Sequence, residues 1–126
     1  MQNQIIYQNN LIYVEIHDSY IPWLKVFDKQ GRKEFSDCDT ETKLEIMRVL
    51  DIIEREMIKS FNPAKINIAS FGNYLPKVHF HIMARFENDG YFPESMWGIK
   101  QKECELKITQ NELDNFYIKL SSLLQI

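Results

Sequence analysis

Two of the chain's three histidines lie one residue apart, at positions 79 and 81 of the segment KVHFHIMARF. Side chains alternate between apolar and other types through residues 77–86, which is the pattern of a β-strand. Alternate side chains of a strand point to opposite faces. The positions predicted to face the core are Val78, Phe80, Ile82, Ala84 and Phe86. His79 and His81 then share the opposite, less buried face with Lys77, and their Cβ atoms lie roughly 7 Å apart.

Two imidazoles on one strand face have three interpretations. They are surface histidines without a function, or they ligate a metal, or they take part in phosphate chemistry. A catalytic zinc needs a third protein ligand, and His17 would serve only if the chain folded back. A neutral imidazole is a nucleophile near pH 7, and a second imidazole with an amide could hold the non-reacting oxygens of a phosphate. The spacing alone leaves the three open.

Composition limits the class of protein. The chain has 126 residues, 44% of them hydrophobic and 26% charged, which predicts one folded domain over residues 1–126. A net charge of -3 argues against a nucleic-acid polymer as partner. No apolar run is long enough for a bilayer and no secretory signal is evident, so no membrane partner is expected. Cys38 and Cys104 form no CxxC and are interpreted as reduced thiols of a cytoplasmic protein.

Two segments have helical periodicity. The first runs from about Thr40 to Phe61, with Asp37 or Asp39 as its N-cap, and Asn62-Pro63 ends it. Its apolar positions, taken as the core face, are Leu44, Met47, Leu50, Ile52 or Ile53, Met57, Ile58 and Phe61. The second opens with the capping-box pattern TQNE at Thr109. It is predicted to bury Leu113, Phe116, Tyr117, Leu120 and Leu124.

The strands complete an α+β fold with an antiparallel sheet of about five strands, a long helix and a C-terminal helix. Residues 5–16 give two short strands around Asn9-Asn10, and further strands begin at Trp23 and Lys65. The short connection at residues 71–76 makes the last two strands antiparallel neighbours. Ile66 and Ile68 are assigned to the core, which places Asn67 on the histidine face.

These residues resemble a known family. GNYLPKVHFHIMARF, followed by YFPESMWG, is similar to the motif region of the histidine triad (HIT) family, whose pattern is His-φ-His-φ-His-φ-φ with φ apolar. The resemblance is greatest to a bacterial branch that has G-N-x-x-P before the motif and F-P-x-x-x-W after it. The specific match covers residues 66–98, and the element order elsewhere is compatible with a single HIT-like domain.

The resemblance implies roles for the motif residues. His79 occupies the second triad position, which in the family is the nucleophile that attacks the α-phosphorus of a nucleotide. His81 occupies the third position, which contacts the phosphate. The first position holds Lys77 instead of histidine, which puts the catalytic rate in doubt. Lysine could offer its charge to a phosphate, but we expect it to point to solvent.

Other positions match the family less specifically. The resemblance places Asn67 near the α-phosphate and ribose, and makes Asp18 a ribose-binding carboxylate, although Asp18 is equally a turn-initiating residue. Asn73 is a ligand contact or a turn residue. Trp97 and its segment close over the site or pack at a dimer interface. For the base pocket the sequence does not choose among Ile5, Leu11 and Ile16.

The family implies a nucleotide hydrolase or nucleotidyl transferase that works through a covalent nucleotidyl-His79 intermediate. The expected enzyme is a nucleoside phosphoramidase or dinucleoside polyphosphate hydrolase with a purine nucleotide such as AMP as substrate or product. It would be a homodimer, with no cofactor and no metal. The alternative, which Lys77 favours, is a non-catalytic nucleotide-binding or regulatory module. A metal-dependent hydrolase is the third hypothesis.

Overall fold

A computed structural model describes residues 4–125 of the chain. The strands are β1 (Ile5–Gln8), β2 (Ile12–Ile16), β3 (Trp23–Asp28), β4 (Lys65–Ala69) and β5 (His79–Arg85). The helices are α1 (Thr40–Phe61) and α2 (Gln110–Leu124), with a 3₁₀ turn at Phe35–Asp37. Within the described residues, no helix has the length and apolarity needed to cross a membrane. The α+β prediction is confirmed.

The five strands form one sheet in the order β1-β2-β3-β5-β4, and all neighbours are antiparallel. The antiparallel pairing of β4 with β5 was predicted from their short connection. β5 is an interior strand between β3 and β4, and on the β3 side His79 pairs with Phe27 and His81 with Lys25. The histidines are therefore held on a rigid strand with hydrogen-bonded neighbours on both sides.

Helix α1 covers one face of the sheet. The Asp39 carboxylate caps it by accepting from the Thr42 N–H at 2.8 Å, and Asn62 ends it in the left-handed conformation. Its bounds were predicted correctly, but its core face was not. The buried apolar residues are Ile46, Val49, Leu50, Ile53 and Met57. Leu44, Met47 and Ile58, which were assigned to the core, are half or more exposed. Apolar side chains occur around much of the circumference of this helix. The periodicity therefore predicted a helix but did not determine which side of it faces the sheet.

Helix α2 packs beside α1 and against β1. Thr109 caps it through a hydrogen bond from the Glu112 N–H at 3.1 Å. The five residues predicted to be buried are the five that the structure buries: Leu113, Phe116, Tyr117, Leu120 and Leu124. Apart from Ile118 and Leu123, the residues between them are polar, so the apolar positions favour one orientation of the helix.

Strand β4 is an edge strand and departs from the prediction at one position. Ile66 is buried, but Ile68 is 47% exposed, so its assignment to the core was wrong. Ile68 pairs with the fully buried Ile82 and lies on the helix-covered side of the sheet. Helix α1 makes few contacts with this edge strand, so Ile68 stays open to solvent.

The opposite face carries the histidines and is covered by an irregular segment, residues 86–108. Its anchor is a buried ion pair in which Arg85 Nε lies 2.8 Å from the Asp89 carboxylate. Asp89 also accepts from the backbone N–H groups of Phe86, Tyr91 and Phe92. The Arg85 guanidinium in turn donates to the Glu94 carbonyl at 2.7 Å. These bonds fix the course of the chain toward Trp97.

Candidate functional site

The two histidines share a strand face, as predicted, but the strand begins at His79 instead of Lys77. Their ring centroids lie 5.2 Å apart. The expectation that this face is the less buried one was wrong, since His79 is 6% and His81 8% exposed. Residues 86–108 and the ends of neighbouring strands pack around them, which alternation along a single strand does not reveal.

His79 is oriented by its own backbone. Its Nδ1 atom lies 2.7 Å from the Lys77 carbonyl oxygen. A carbonyl only accepts, so Nδ1 carries the proton and the lone pair of the neutral ring is on Nε2. A histidine nucleophile requires such a bond from one ring nitrogen to a backbone carbonyl, because the bond leaves the other ring nitrogen free to attack. The ring stacks on Phe27 at 4.9 Å, and Phe27 stacks on Tyr13 at 4.7 Å. The aromatic stack prevents the imidazole from tilting.

His81 has a different partner. The Trp23 indole N–H donates to its Nδ1 at 3.0 Å, and Trp97 packs edge-on against its ring at 4.9 Å. Burial lowers the pKa of His81, and together with the smaller effects of His79, His17 and Lys25 it brings that pKa to about 4. The ring is therefore neutral at pH 7.

A cavity of about 320 Å³ opens beside the two histidines. Its other walls come from the connection before β5 and from the irregular segment after it. The lining residues are Phe71, Gly72, Asn73, Tyr74, Leu75, His79, His81 and Trp97. Trp97 closes one side, where it contacts Phe71 at 4.9 Å between ring centroids. Of the two positions considered for Trp97 from the sequence, the structure shows the one over the histidines.

Lys77 is not in this cavity and does not point freely to solvent, so the solvent prediction was wrong. Its side chain is partly buried, with Nζ 5.3 Å from the centre of the Phe27 ring and 3.5 Å from the Tyr13 hydroxyl. Aromatic faces attract an ammonium group, which accounts for this course. The lysine lies beside the aromatic stack that supports His79.

The three residues that match the family less specifically lie in different places. Asn73 lines the cavity on the exposed connection before β5. Asn67 lies on the histidine face, as predicted, but its side-chain oxygen accepts from Arg85 Nη1 at 2.9 Å, and it lines a neighbouring depression instead. Asp18 is exposed after β2 and does not line the histidine cavity. Among the named candidates, the structure thus brings together His79, His81 and Asn73.

Sequence reasoning missed two contributions to the site. Trp23 was placed on a strand, but its contact with His81 depends on the register between β3 and β5. Arg85 and Asp89, which hold the cover of the site, are four residues apart across the strand end. No signal in the sequence pointed to this ion pair, because Arg85 lies on the strand face that was predicted to be the less buried one.

His17 belongs to the same aromatic cluster. Its ring stacks on Trp23 at 4.0 Å and lies 6.2 Å from the His81 ring. Burial and the neighbouring Lys25 lower its pKa, opposed by Asp18 and Glu15. Across residues 4–125, no group of three or more His, Cys, Asp or Glu side chains is placed to hold a metal ion.

The base-pocket candidates lie elsewhere. Ile5 and Ile16 line a second, larger cavity of about 540 Å³ between β1 and α2. Leu11 is partly buried and packs against the core. None of the three lines the histidine cavity.

Known proteins share this fold. A histidine triad protein from Bradyrhizobium japonicum is 28% identical, with a TM-score of 0.78, and the match covers 95% of this chain and 89% of that one. One from Marinobacter aquaeolei is 22% identical, with a TM-score of 0.78 and coverages of 98% and 89%. A Plasmodium falciparum diadenosine triphosphate hydrolase in complex with cyclomarin A is 16% identical, with a TM-score of 0.59 and coverages of 96% and 73%. No curated protein matches the sequence.

The family model of the HIT domain matches residues 1–88, which is more than half of the chain. The matched region ends just after β5 and includes the strand that carries both histidines. The HIT superfamily includes nucleotide hydrolases and transferases. The chain belongs to the HIT family.

Proposed function

We propose that the protein is a HIT-type nucleotide hydrolase or nucleotidyl transferase in which His79 is the nucleophile. The observation that carries the proposal is the 2.7 Å contact between His79 Nδ1 and the Lys77 carbonyl. It leaves a lone pair on Nε2 of a ring that lines the cavity. A nucleophile has to be presented in the reactive tautomer before substrate arrives, and this backbone contact does so.

The substrate class is a nucleoside phosphoramidate, an acyl-nucleotide or a dinucleoside polyphosphate. His79 Nε2 attacks the α-phosphorus, and the new N–P bond forms as the bond from phosphorus to the leaving group breaks. The leaving group departs with the electron pair and takes a proton from solvent. Water then attacks the same phosphorus and gives up a proton to solvent. The N–P bond breaks with its electron pair returning to Nε2, and a nucleoside monophosphate such as AMP is released.

The positive charge that the ring acquires in the nucleotidyl-His79 intermediate needs stabilisation. The Lys77 carbonyl supplies it, because its hydrogen bond with Nδ1–H strengthens when the ring becomes cationic. His81 is neutral at pH 7 and would hold a non-reacting phosphate oxygen. The scheme uses no metal ion. Asn73 is the nearest candidate for a further ligand contact, while Asn67 and Asp18 would require the substrate to extend beyond the cavity.

The test is turnover of adenosine 5′-phosphoramidate by the wild type and by His79→Ala, with AMP binding measured for both by calorimetry. We expect the wild type to release AMP, and His79→Ala to bind AMP but to lose at least about 1,000-fold in kcat, as removal of a covalent nucleophile does. Mass spectrometry after an alkaline quench should find AMP attached to the wild type and not to the variant.

The non-catalytic alternative predicts another result: both proteins bind AMP and neither turns over the phosphoramidate. Lys77→His then separates a lapsed enzyme, which the variant would rescue, from a binding module or a different substrate, where it would not. Failure of the wild type to bind AMP would contradict the nucleotide assignment itself.

We also propose that the protein forms a homodimer and comprises a single domain. Support for the dimer comes from the outer edge of β4, which pairs with no other strand among residues 4–125 and carries the exposed Ile68, and from the exposed Ile99 in the irregular segment. Light scattering coupled to gel filtration should give twice the 15.1 kDa chain mass. A single-chain mass at micromolar concentration would contradict the dimer.

A further inference from the structure

Trp23 holds His81 through a buried hydrogen bond. Trp23 is 6% and His81 8% exposed, and the indole Nε1–H lies 3.0 Å from His81 Nδ1. An indole nitrogen only donates, so His81 Nδ1 must accept with its lone pair. The single proton of the neutral ring is therefore on Nε2.

His79 has the opposite arrangement. Its Nδ1 faces the Lys77 carbonyl at 2.7 Å, which only accepts, so its proton is on Nδ1. Two imidazoles on one strand face, with ring centroids 5.2 Å apart, are thus held in opposite tautomers by two partners of opposite polarity. One ring presents a bare Nε2 and the other presents an Nε2–H.

We propose that Trp23 is a positioning residue that keeps the His81 proton on Nε2, so that His81 donates to a phosphate oxygen while His79 attacks the phosphorus. The inference rests on the proposed function for its chemistry. With the other tautomer, His81 would direct a lone pair at negatively charged phosphate oxygens, which repels the substrate. The indole prevents this because it has no acceptor to offer Nδ1–H.

Trp23 is itself fixed. His17 stacks on the indole at 4.0 Å, Trp97 contacts it edge-on at 5.4 Å, and its backbone N–H donates to the Tyr117 hydroxyl at 3.2 Å. The indole therefore cannot turn its N–H away from His81 without breaking packing on two sides. Each of these contacts comes from a different part of the chain.

The charge around His81 agrees with a neutral donor. The groups that face it are His79 on its own strand, His17 after β2 and Lys25 on β3, and all three disfavour an imidazolium. Glu15 forms a salt bridge with Lys25 at 3.4 Å. Glu15 and Asp18 both favour the protonated form of His17 and so raise its pKa. The Trp23 N–H adds a local barrier, because protonation of His81 at Nδ1 would require that hydrogen bond to break.

The test is a tautomer measurement on the free protein. Histidine labelled with ¹⁵N gives three side-chain systems, since the chain has three histidines, and long-range ¹H–¹⁵N spectra distinguish Nδ1–H from Nε2–H rings. We expect wild-type His81 as Nε2–H and wild-type His79 as Nδ1–H. If wild-type His81 carries its proton on Nδ1, the proposal is overturned without any variant having to fold.

The variant is Trp23→Phe, which keeps an aromatic ring and removes the N–H. We expect the His81 pKa to rise by about one unit or more and an Nδ1–H population to appear, because the donor that engaged the lone pair is gone. The His79 signals should not change. Trp97→Phe is the matched control, since Trp97 packs on His81 without hydrogen bonding to it, and it should leave the His81 tautomer as in the wild type. A wild-type tautomer and pKa for His81 in Trp23→Phe would contradict the proposal.

Turnover adds a second readout. For Trp23→Phe we expect kcat for adenosine 5′-phosphoramidate to fall about tenfold, with KM changed less, and the acid limb of the kcat profile to move to higher pH. A changed tautomer with unchanged kcat would overturn the catalytic part of the inference. If the wild type has no turnover, the proposed function fails, while the tautomer measurement still decides what Trp23 does to His81.

Discussion

The two faces of the sheet are covered in different ways. On one face, helices α1 and α2 bury apolar side chains such as Ile46 and Ile53, which contact their neighbours without directional bonds. On the other, residues 86–108 are held by Asp89, whose carboxylate accepts from Arg85 and from three backbone N–H groups. The first cover tolerates small changes of shape, whereas the second depends on a few bonds in a dry environment.

The difference bears on function because only the second cover forms part of the histidine site. Trp97 reaches the cavity at the end of the chain path that Arg85 and Asp89 fix. Damage to the helix-covered face should therefore reduce stability alone. Damage to the hydrogen-bonded face should reduce stability and alter the site together.

Asp89→Ala should lower the free energy of unfolding by about 3–5 kcal/mol, because it leaves Arg85 buried without its partner. Urea denaturation measures this. The matched control is Asp51→Ala, which breaks an ion pair with the same 2.8 Å distance and the same four-residue spacing on the exposed surface of α1. That change should stay within about 0.5 kcal/mol. Similar losses for the two variants would mean that burial of the pair is not what matters.

Ile53→Ala should lower the free energy of unfolding by about 3 kcal/mol through the cavity it leaves under α1. Once corrected for the folded fraction, phosphoramidate turnover should remain within about twofold of the wild type, since the residue lies on the helix-covered face. Ile118→Ala, at a 71% exposed position, serves as the control. A large loss of kcat in Ile53→Ala would show that the two faces are coupled.

Stability should depend on pH through His81. Its folded pKa of about 4 lies below the usual histidine pKa of 6.5, so the unfolded chain binds more protons between these two values. The stabilisation is complete above pH 6.5 and is lost as pH falls toward 4, by about 2 kcal/mol between pH 7 and pH 5. His81→Gln should flatten most of this slope, leaving the smaller part due to His17. An unchanged slope in urea titrations would contradict the assignment.

Asp39→Ala should lower the free energy of unfolding by about 1 kcal/mol, because it removes the N-cap of α1. Thermal unfolding suffices to measure it. The sequence left Asp37 as an alternative cap, and in the structure that side chain bonds the Glu34 N–H of the 3₁₀ turn instead. Asp37→Ala should therefore have the smaller effect, and the reverse order would reassign the cap.

The helix-covered face of the sheet was the easier one to predict from the sequence. Periodicity, turn residues and caps predicted the helices and strands. For α2 they also predicted which five residues are buried. The rotation of α1 did not follow, because its apolar positions extend around the helix and only contact with β3 and β5 selects among them. The burial of Ile68 was predicted wrongly, because alternation along a strand shows which face of the sheet a residue is on but not how much of that face a helix covers.

The sheet face that carries the histidines was harder to predict from the sequence. The shared face of His79 and His81 followed from strand geometry. The Trp23 contact did not, since it depends on which residue of β3 stands near His81. The course of residues 86–108 depends on hydrogen bonds that one carboxylate accepts from four groups, and such bonds have no period along the chain. The hydrogen bond that Asn67 accepts from Arg85 was not foreseen either, because it joins β4 to the end of β5.

The placement of the chain's two tryptophans gives the protein a built-in optical reporter. Trp23 and Trp97 are the only two in the sequence, and their rings lie 5.8 Å and 4.9 Å from the His81 ring. All tryptophan emission therefore originates beside the cavity, with no background from elsewhere in the fold. Ligand entry, a change of His81 protonation or movement of the covering segment should each alter that emission, so occupancy of the unlabelled protein can be followed by fluorescence titration.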